Sequence, residues 1–342
     1  MRGPGRREVT GGAQGEVASP DWPALLTGVA RGDRRALSRM ISLVEARVPG
    51  WQEAMHQVFM ATGKARVVGI TGSLGTGKST LTGRLAAIFA GRGRRVGILA
   101  IDPSSPFSGG AILGDRIRMT ELDRLGVFLR SMATRGAHGG LSRATRDAVR
   151  ILDAFGFDLI LVETVGAGQD EVDVLRVADV TLVLCVPGQG DGLQAIKAGM
   201  MEIADVFIVN KADRSGADQV VADIDAMLRI TRVAAEGHLA PAVVKTVATA
   251  GAGVEELADA IESRLSAAGG GRITGVGEIA MEVVELVEAR LREGFWNDFG
   301  ARERLDRLVA GGGDPYFICR DILPDDVFDE LFAAARIRLP PD

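Results

Sequence analysis

Lysine is scarce in this chain. Of 40 basic residues in 342, five are lysine (Lys64, Lys78, Lys197, Lys211 and Lys245) and the remainder arginine. Cysteine is scarcer still: Cys185 and Cys319 stand alone, with no CxxC and no metal-ligand spacing. That excludes a disulfide framework and a cysteine metal site, and a reducing cytoplasm is the expected setting. The three histidines, His56, His138 and His238, are scattered and form no His/Cys cluster. No Ser/His/Asp or paired-carboxylate hydrolase arrangement stands out. No apolar run reaches the ~18 residues a membrane-spanning helix needs. A net charge of −5 comes without a block of like charge, so neither nucleic acid nor a membrane is expected as a partner. Residues 1–20 lack an apolar signal-peptide core. Glu8, Glu16 and their glycines disfavour a mitochondrial targeting helix, so a disordered tail is expected there.

What is present suits a folded domain: 46% hydrophobic and 25% charged residues, enough for a real core. Residues 21–63 read as a helical extension. Asp21 and Asp33 are placed to cap helices, and Leu37, Met40, Ile41 and Val44 share one face at helical spacing. From residue 64 short apolar runs alternate with helix-length stretches: 67–71, 96–101, 126–130, 159–162, 180–186, 206–209 and 243–247. Strands alternating with helices predict an α/β fold whose mostly parallel sheet is flanked by helices, with ligands at the carboxyl ends of the strands. This predicted sheet domain covers 64–268. A small-residue linker spans 267–271, and 269–342 is expected to form a helical dimerisation arm. Its amphipathic helix, 278–292, includes Ile279, Val283 and Leu286, and Phe295 follows. The arm is too small to bury these residues alone.

Two of the five lysines fall inside motifs. Residues 72–79, Gly-Ser-Leu-Gly-Thr-Gly-Lys-Ser, match a phosphate loop between a strand and a helix. Gly72, Ser73, Gly75, Thr76 and Gly77 can turn successive backbone N–H groups into one concavity. Ser79 and Thr80 open the helix whose N-terminus favours anions. Lys78 is expected on the β- and γ-phosphates, with the Ser79 hydroxyl on Mg²⁺. Asn210-Lys211-Ala212-Asp213 follows a buried strand and reads as a base loop. One carboxylate, Asp213, can accept both N1–H and N2–H₂ of guanine, a pair adenine does not present. Ala248 is placed to offer its N–H to the guanine 6-oxo group. GTP or GDP with Mg²⁺ is therefore the expected ligand set. Asp102 and Glu163 end strands on the phosphate side, where a hard cation needs oxygen ligands. Asp115 and Arg118 follow in the loop after Asp102, and Gln169 is placed where it can orient water or cap a helix.

Several strings go further. Residues 101–105 (Ile-Asp-Pro-Ser-Ser), 109–116 (Gly-Gly-Ala-Ile-Leu-Gly-Asp-Arg), 130–136, 163–169 and 187–191 resemble the MeaB/ArgK-like G proteins. These are GTPase chaperones of adenosylcobalamin-dependent acyl-CoA mutases such as methylmalonyl-CoA mutase. The resemblance implies a P-loop NTPase fold of SIMIBI class, GTP hydrolysis, a homodimer built through the C-terminal arm, and a mutase partner. It assigns Asp102 and Asp115 to a first switch, Glu163 to a second, and 187–197 to a third in which Lys197 is the candidate partner contact. The chain departs from the family pattern at Ser73-Leu74, Asp170, Gln189 and Val247. Two other classes compete. A nickel-type metallochaperone GTPase calls for a Cys/His cluster that this chain lacks. A kinase or transport ATPase shares the phosphate loop but not the Asn-Lys-Ala-Asp loop.

Overall fold

A computed structural model describes residues 20–103, 121–134, 140–164, 177–188, 204–232, 240–268 and short stretches between 279 and 288. The chain divides into two units, Met1–Ile273 and Thr274–Asp342. The first unit carries every strand described below.

Three helices open it: α1 (Trp22–Ala30), α2 (Arg34–Glu45) and α3 (Trp51–Phe59). Asp21 accepts from the Ala24 N–H and Asp33 from the Arg35 N–H, so the two expected caps are in place. Leu37, Met40, Ile41 and Val44 of α2 are no more than 1% exposed. Cutting one of them to alanine is worth about 2–5 kcal/mol.

Seven parallel strands follow: β1 (Arg66–Gly72), β2 (Val96–Pro103), β3 (Phe128–Thr134), β4 (Leu159–Glu163), β5 (Val180–Cys185), β6 (Val206–Asn210) and β7 (Ala242–Thr246). They lie side by side as β3-β2-β4-β1-β5-β6-β7. Among the described residues four helices accompany them: α4 (Lys78–Gly91), α5 (Gly140–Phe155), α6 (Ala217–Arg232) and α7 (Val254–Ala267). Both faces of the sheet are covered, which is why β4, β5 and β6 are buried at every position.

Alternate residues of each strand serve different cores. Val68, Ile70, Leu161, Leu182 and Ile208 pack with Leu81 and Leu85 of α4 and Leu257 and Ile261 of α7. On the other face Val67, Ile160 and Val162 join α5 and the helices α1–α3. Val183, Phe207 and Val209 meet Ile224 of α6. The N-terminal helices are fastened to this layer by polar contacts. Arg47 pairs with Asp147 at 2.7 Å and lies over the Trp51 ring, and Asp153 accepts from the Gly63 and Ala65 N–H groups.

All seven sequence-predicted strands are present. One is displaced: β3 starts at 128 rather than 126 and runs to 134. Gly126 turns with φ +76°, and the Val127 N–H closes onto Leu122 O, so the chain is still leaving a helical turn there. The polar end of β3 is extended by pairing with β2 as far as Pro103↔Thr134. The expected helix 278–292 is helical at each of its described positions. Phe295 lies outside the described residues.

The order of the strands fixes where a ligand fits. After β1 the chain moves to one side, to β2 and β3, and after β5 to the other, to β6 and β7. The crevice at the carboxyl ends of β1 and β5 is the switch point of the sheet. The phosphate loop leaves β1 there.

Candidate nucleotide site

β1 ends at Gly72, paired in register with Leu184 of β5. Gly72 has φ +142°, and a Cβ there would lie 2.5 Å from Leu184 O, so only glycine fits. The loop then turns on itself: the Thr76 hydroxyl donates to Ser73 O at 2.8 Å. Gly77 is the N-cap of α4 in the left-handed region, and a Cβ there would meet Asn210 Nδ2 at 2.6 Å. A side chain at Gly77 would thus separate the phosphate loop from the Asn210 loop. Gly75 is left-handed too, at the loop's open tip. Leu74 is 80% exposed beside it.

Lys78 is buried, 7% exposed, at the first position of α4. Its ammonium donates to Gly72 O at 2.6 Å and Ser73 O at 3.1 Å. The next residue, Ser79, donates through its hydroxyl to Glu163 Oε1. Thr80 completes the first turn. Glu163 ends β4, between Ile70 of β1 and Ala100 of β2 in register, and is 8% exposed. Asp102 lies near the end of β2, opposite Ala133 of β3. Hydroxyl and carboxylate oxygens at the N-terminus of a helix are the donor chemistry Mg²⁺ takes when phosphate supplies its other ligands. These two oxygens converge at the start of α4, and such an ion would take the place of the hydrogen bond between them. Among the described residues no group of three or more His, Cys, Asp or Glu is gathered to hold a metal without that help.

The base side is a separate construction. Asn210, 2% exposed, is the last residue of β6 and pairs in register with Thr246 of β7. Its side chain joins three segments. Nδ2 donates to Thr76 O at 2.8 Å, while Oδ1 accepts from the Ala248 N–H and the Thr246 hydroxyl, both at 3.1 Å. Lys211 adopts φ +55°, an uncommon conformation for a residue with a side chain, and its ammonium donates to Gly75 O at 2.7 Å. A turn closed by the Arg214 N–H on Lys211 O presents Asp213, exposed and with no hydrogen bond or ion pair among the described residues. Asp213 is therefore open to donors from outside the chain.

The structure thus brings the sequence-predicted residues of 72–80 together with Glu163, Asn210, Lys211 and Ala248 at one edge of the sheet. The Ala248 N–H, expected to face a guanine 6-oxo group, is engaged by Asn210 Oδ1 in this conformation. Asp115, Arg118, Gln169 and Lys197 lie outside the described residues. Sequence reading missed Thr246, whose hydroxyl braces Asn210. A threonine at the end of the strand next to the Asn-Lys-Ala-Asp strand was its only signal.

Comparison with known proteins agrees with this geometry. The model of the family described as "Methylmalonyl Co-A mutase-associated GTPase MeaB" matches residues 37–297. The chain belongs to the MeaB family. A protein of Pyrococcus abyssi named as a GTPase is 50% identical over 240 residues, covering 70% of this chain and 74% of the relative. A Mycobacterium tuberculosis protein also named as a GTPase is 41% identical over 307 residues, covering 84% and 90%. Among solved structures, a LAO/AO transport system kinase superposes with a TM-score of 0.62 at 24% identity, covering 88% of this chain and 96% of that one. That likeness speaks to the fold. As a MeaB-family protein with a P-loop NTPase fold, the chain is a GTPase and binds guanine nucleotide. No described helix is long and apolar enough to cross a membrane.

Proposed function

We propose that this GTPase couples its nucleotide state to an adenosylcobalamin-dependent acyl-CoA mutase, which it assembles, gates or protects. The observation that carries the site is the Lys78–Ser79–Glu163 cluster at the start of α4. Lys78 would leave Gly72 O and Ser73 O for the β- and γ-phosphates, following the charge that develops on the transferred group. Ser79 and Glu163, with Asp102 and Asp115, would hold Mg²⁺. That ion, when bound, supplies charge neutralisation across the phosphates. Asp213 would read the guanine N1–H and N2–H₂, and Lys211 would lay its stem along the base.

The mutase reading draws on the family's description and on the topology. The strands β2, β4 and β5, from which the sequence continues into 102–118, 163–171 and 187–197, run parallel to β1 and end at the same edge as it does. Loops that order around a γ-phosphate present a different surface in each nucleotide state. A partner that prefers one surface must change nucleotide affinity in return. Residues 64–268 would form the GTPase domain and 269–342 a dimerisation arm. Val283 and Leu286, 52% and 41% exposed, are apolar positions a second copy would cover. In this reading the protein works in the cytoplasm, as a dimer that light scattering would detect.

The decisive experiment is a GTPase assay with and without each B12-dependent acyl-CoA mutase of the same organism. A mutase is expected to raise turnover, and Lys197→Ala to blunt that stimulation with basal hydrolysis nearly intact. If no mutase binds or alters turnover, the coupling is refuted and the GTPase stands.

A further inference from the structure

Two arginines of the phosphate helix, Arg84 within α4 and Arg92 at its C-cap, reach the turn before α7 and α7 itself. Arg92 pairs with Glu255 and Asp259 at 2.7 Å and with Glu262 at 3.1 Å, along one face of α7. Arg84, two turns earlier, donates from Nη2 to Thr249 O at 3.0 Å. Thr249 follows Ala248, inside the turn between β7 and α7.

That turn is stiff within itself. The Val247 N–H donates to Ala252 O at 2.9 Å, and the Ala250 and Gly251 N–H groups return to Val247 O. Gly253 has φ +73°, and a Cβ there would lie 2.1 Å from Lys245 O. A turn closed in this way moves as a unit, so its placement depends on what grips it from outside. From the sheet, Asn210 Oδ1 takes the Ala248 N–H. From the phosphate helix, Arg84 takes Thr249 O. The two grips hold adjacent residues, one from the sheet and one from α4.

We propose that Arg84 is a positioning residue for the purine. By holding Thr249 O it fixes the 248–249 backbone relative to α4, so that the Ala248 N–H has only to exchange Asn210 Oδ1 for the 6-oxo group of guanine. This rests on the reading of 210–213 and 248 as the base loop. Arg92 joins the far end of α4 to the face of α7, about 12 Å along α4 from Arg84 at 1.5 Å per residue, and serves only to fasten the two helices.

The test uses the full chain with Mg²⁺ and two ligands: GDP, and the diphosphate of 2-aminopurine riboside, which keeps the 2-amino group but lacks the 6-oxo group. Arg84→Ala is expected to weaken GDP binding roughly fivefold to tenfold, the range of one ordinary hydrogen bond, since Arg84 is exposed and water screens its charge. It should leave the 2-aminopurine nucleotide within about twofold of wild type. Arg84→Lys, which can still donate to a carbonyl, should recover most of the loss. Arg92→Ala should lower the melting temperature without altering the ratio of the two affinities. Unchanged GDP binding by Arg84→Ala would overturn the proposal, and so would equal loss of both ligands. A wild type that binds ADP as well as GDP, or an Asp213→Asn variant that keeps full guanine preference, would instead bring down the base-loop reading beneath it.

Discussion

Lys78 donates to Gly72 O and Ser73 O, and Ser79 donates to Glu163, whereas Asn210 spans Thr76 O, the Thr246 hydroxyl and the Ala248 N–H. In the proposed reading the first set is the phosphate end of the crevice and the second the base end. They differ in what a nucleotide must do to them. At the phosphate end the chain's own carbonyls and carboxylate occupy groups suited to phosphate and a cation. Binding there is an exchange of partners, so its net gain is smaller than the new contacts suggest. At the base end the scaffold is already joined, and the group left open is Asp213. A base docking there finds a preorganised surface, the less costly way to gain selectivity. One end can therefore change partners with the nucleotide state, while the other keeps the base in place throughout.

The largest expected effect breaks the phosphate end alone. Lys78→Ala removes the ammonium that would follow charge onto the γ-phosphoryl group. It should lower kcat for GTP by at least about 100-fold. The nucleotide-free fold should be little affected, since what is lost is a buried charge held by two carbonyls. Turnover assays paired with thermal melts of the nucleotide-free protein check both halves. Normal turnover would remove Lys78 from the chemistry. A large fall in the nucleotide-free melt would show that the lysine is part of the scaffold, and the contrast between the two ends would go.

Asn210→Ala is the reciprocal case. It strips the partner from Thr76 O, the Thr246 hydroxyl and the Ala248 N–H, all on buried residues. Leaving such groups without partners costs about 1–3 kcal/mol each before relaxation. The nucleotide-free protein should thus lose roughly 2–4 kcal/mol by urea unfolding, and GDP affinity should fall with it. If the unfolding midpoint without nucleotide is unmoved, the base end is assembled by the ligand after all.

How far the sequence reaches follows the same division. The strands were legible because each is a short apolar run bounded by polar or turn residues, and the sheet buries both faces. β3 was the exception, since its second half, Arg130 to Thr134, is polar enough to hide an edge strand whose extent is set by its neighbour. The phosphate loop and the Asn-Lys-Ala-Asp loop were legible because their chemistry is local: consecutive N–H groups, or a carboxylate in a turn. What did not show is what joins distant segments. Thr246 meets Asn210 because β7 lies beside β6 in that register. Glu163 and Ser79 were both expected beside one cation, but their direct bond follows from β4, third from the edge, sitting between β1 and β2. Arg84 meets Thr249 across 165 residues. Pairings of this kind depend on strand order, which hydrophobic periodicity does not encode.

The smallest effect concerns the strand between the two ends. Cys185 closes β5, which pairs with β1 on the phosphate side and β6 on the base side. It is buried, and burial pushes its thiol from 9.0 up to about 11. The fold therefore holds the thiol proton more tightly than the open chain does. The resulting stability is fully present below pH 9.0, where both states are protonated, and drains away as pH rises toward 11. By pH 10 the loss should be about 1 kcal/mol, since one pKa unit is worth 1.36 kcal/mol. Urea midpoints of wild type and Cys185→Ala between pH 7.5 and 10 isolate this contribution from other titrating groups. The wild type should weaken more steeply by that amount. Because β5 serves both ends, the difference between wild type and Cys185→Ala should appear with and without GDP; the ligand's own increment, which falls as the guanine N1–H ionises, cancels in that difference. Parallel slopes for the two proteins would mean that the thiol ionises as freely in the fold as outside it. A difference confined to the GDP-bound protein would place Cys185 on one side of the crevice rather than between the two.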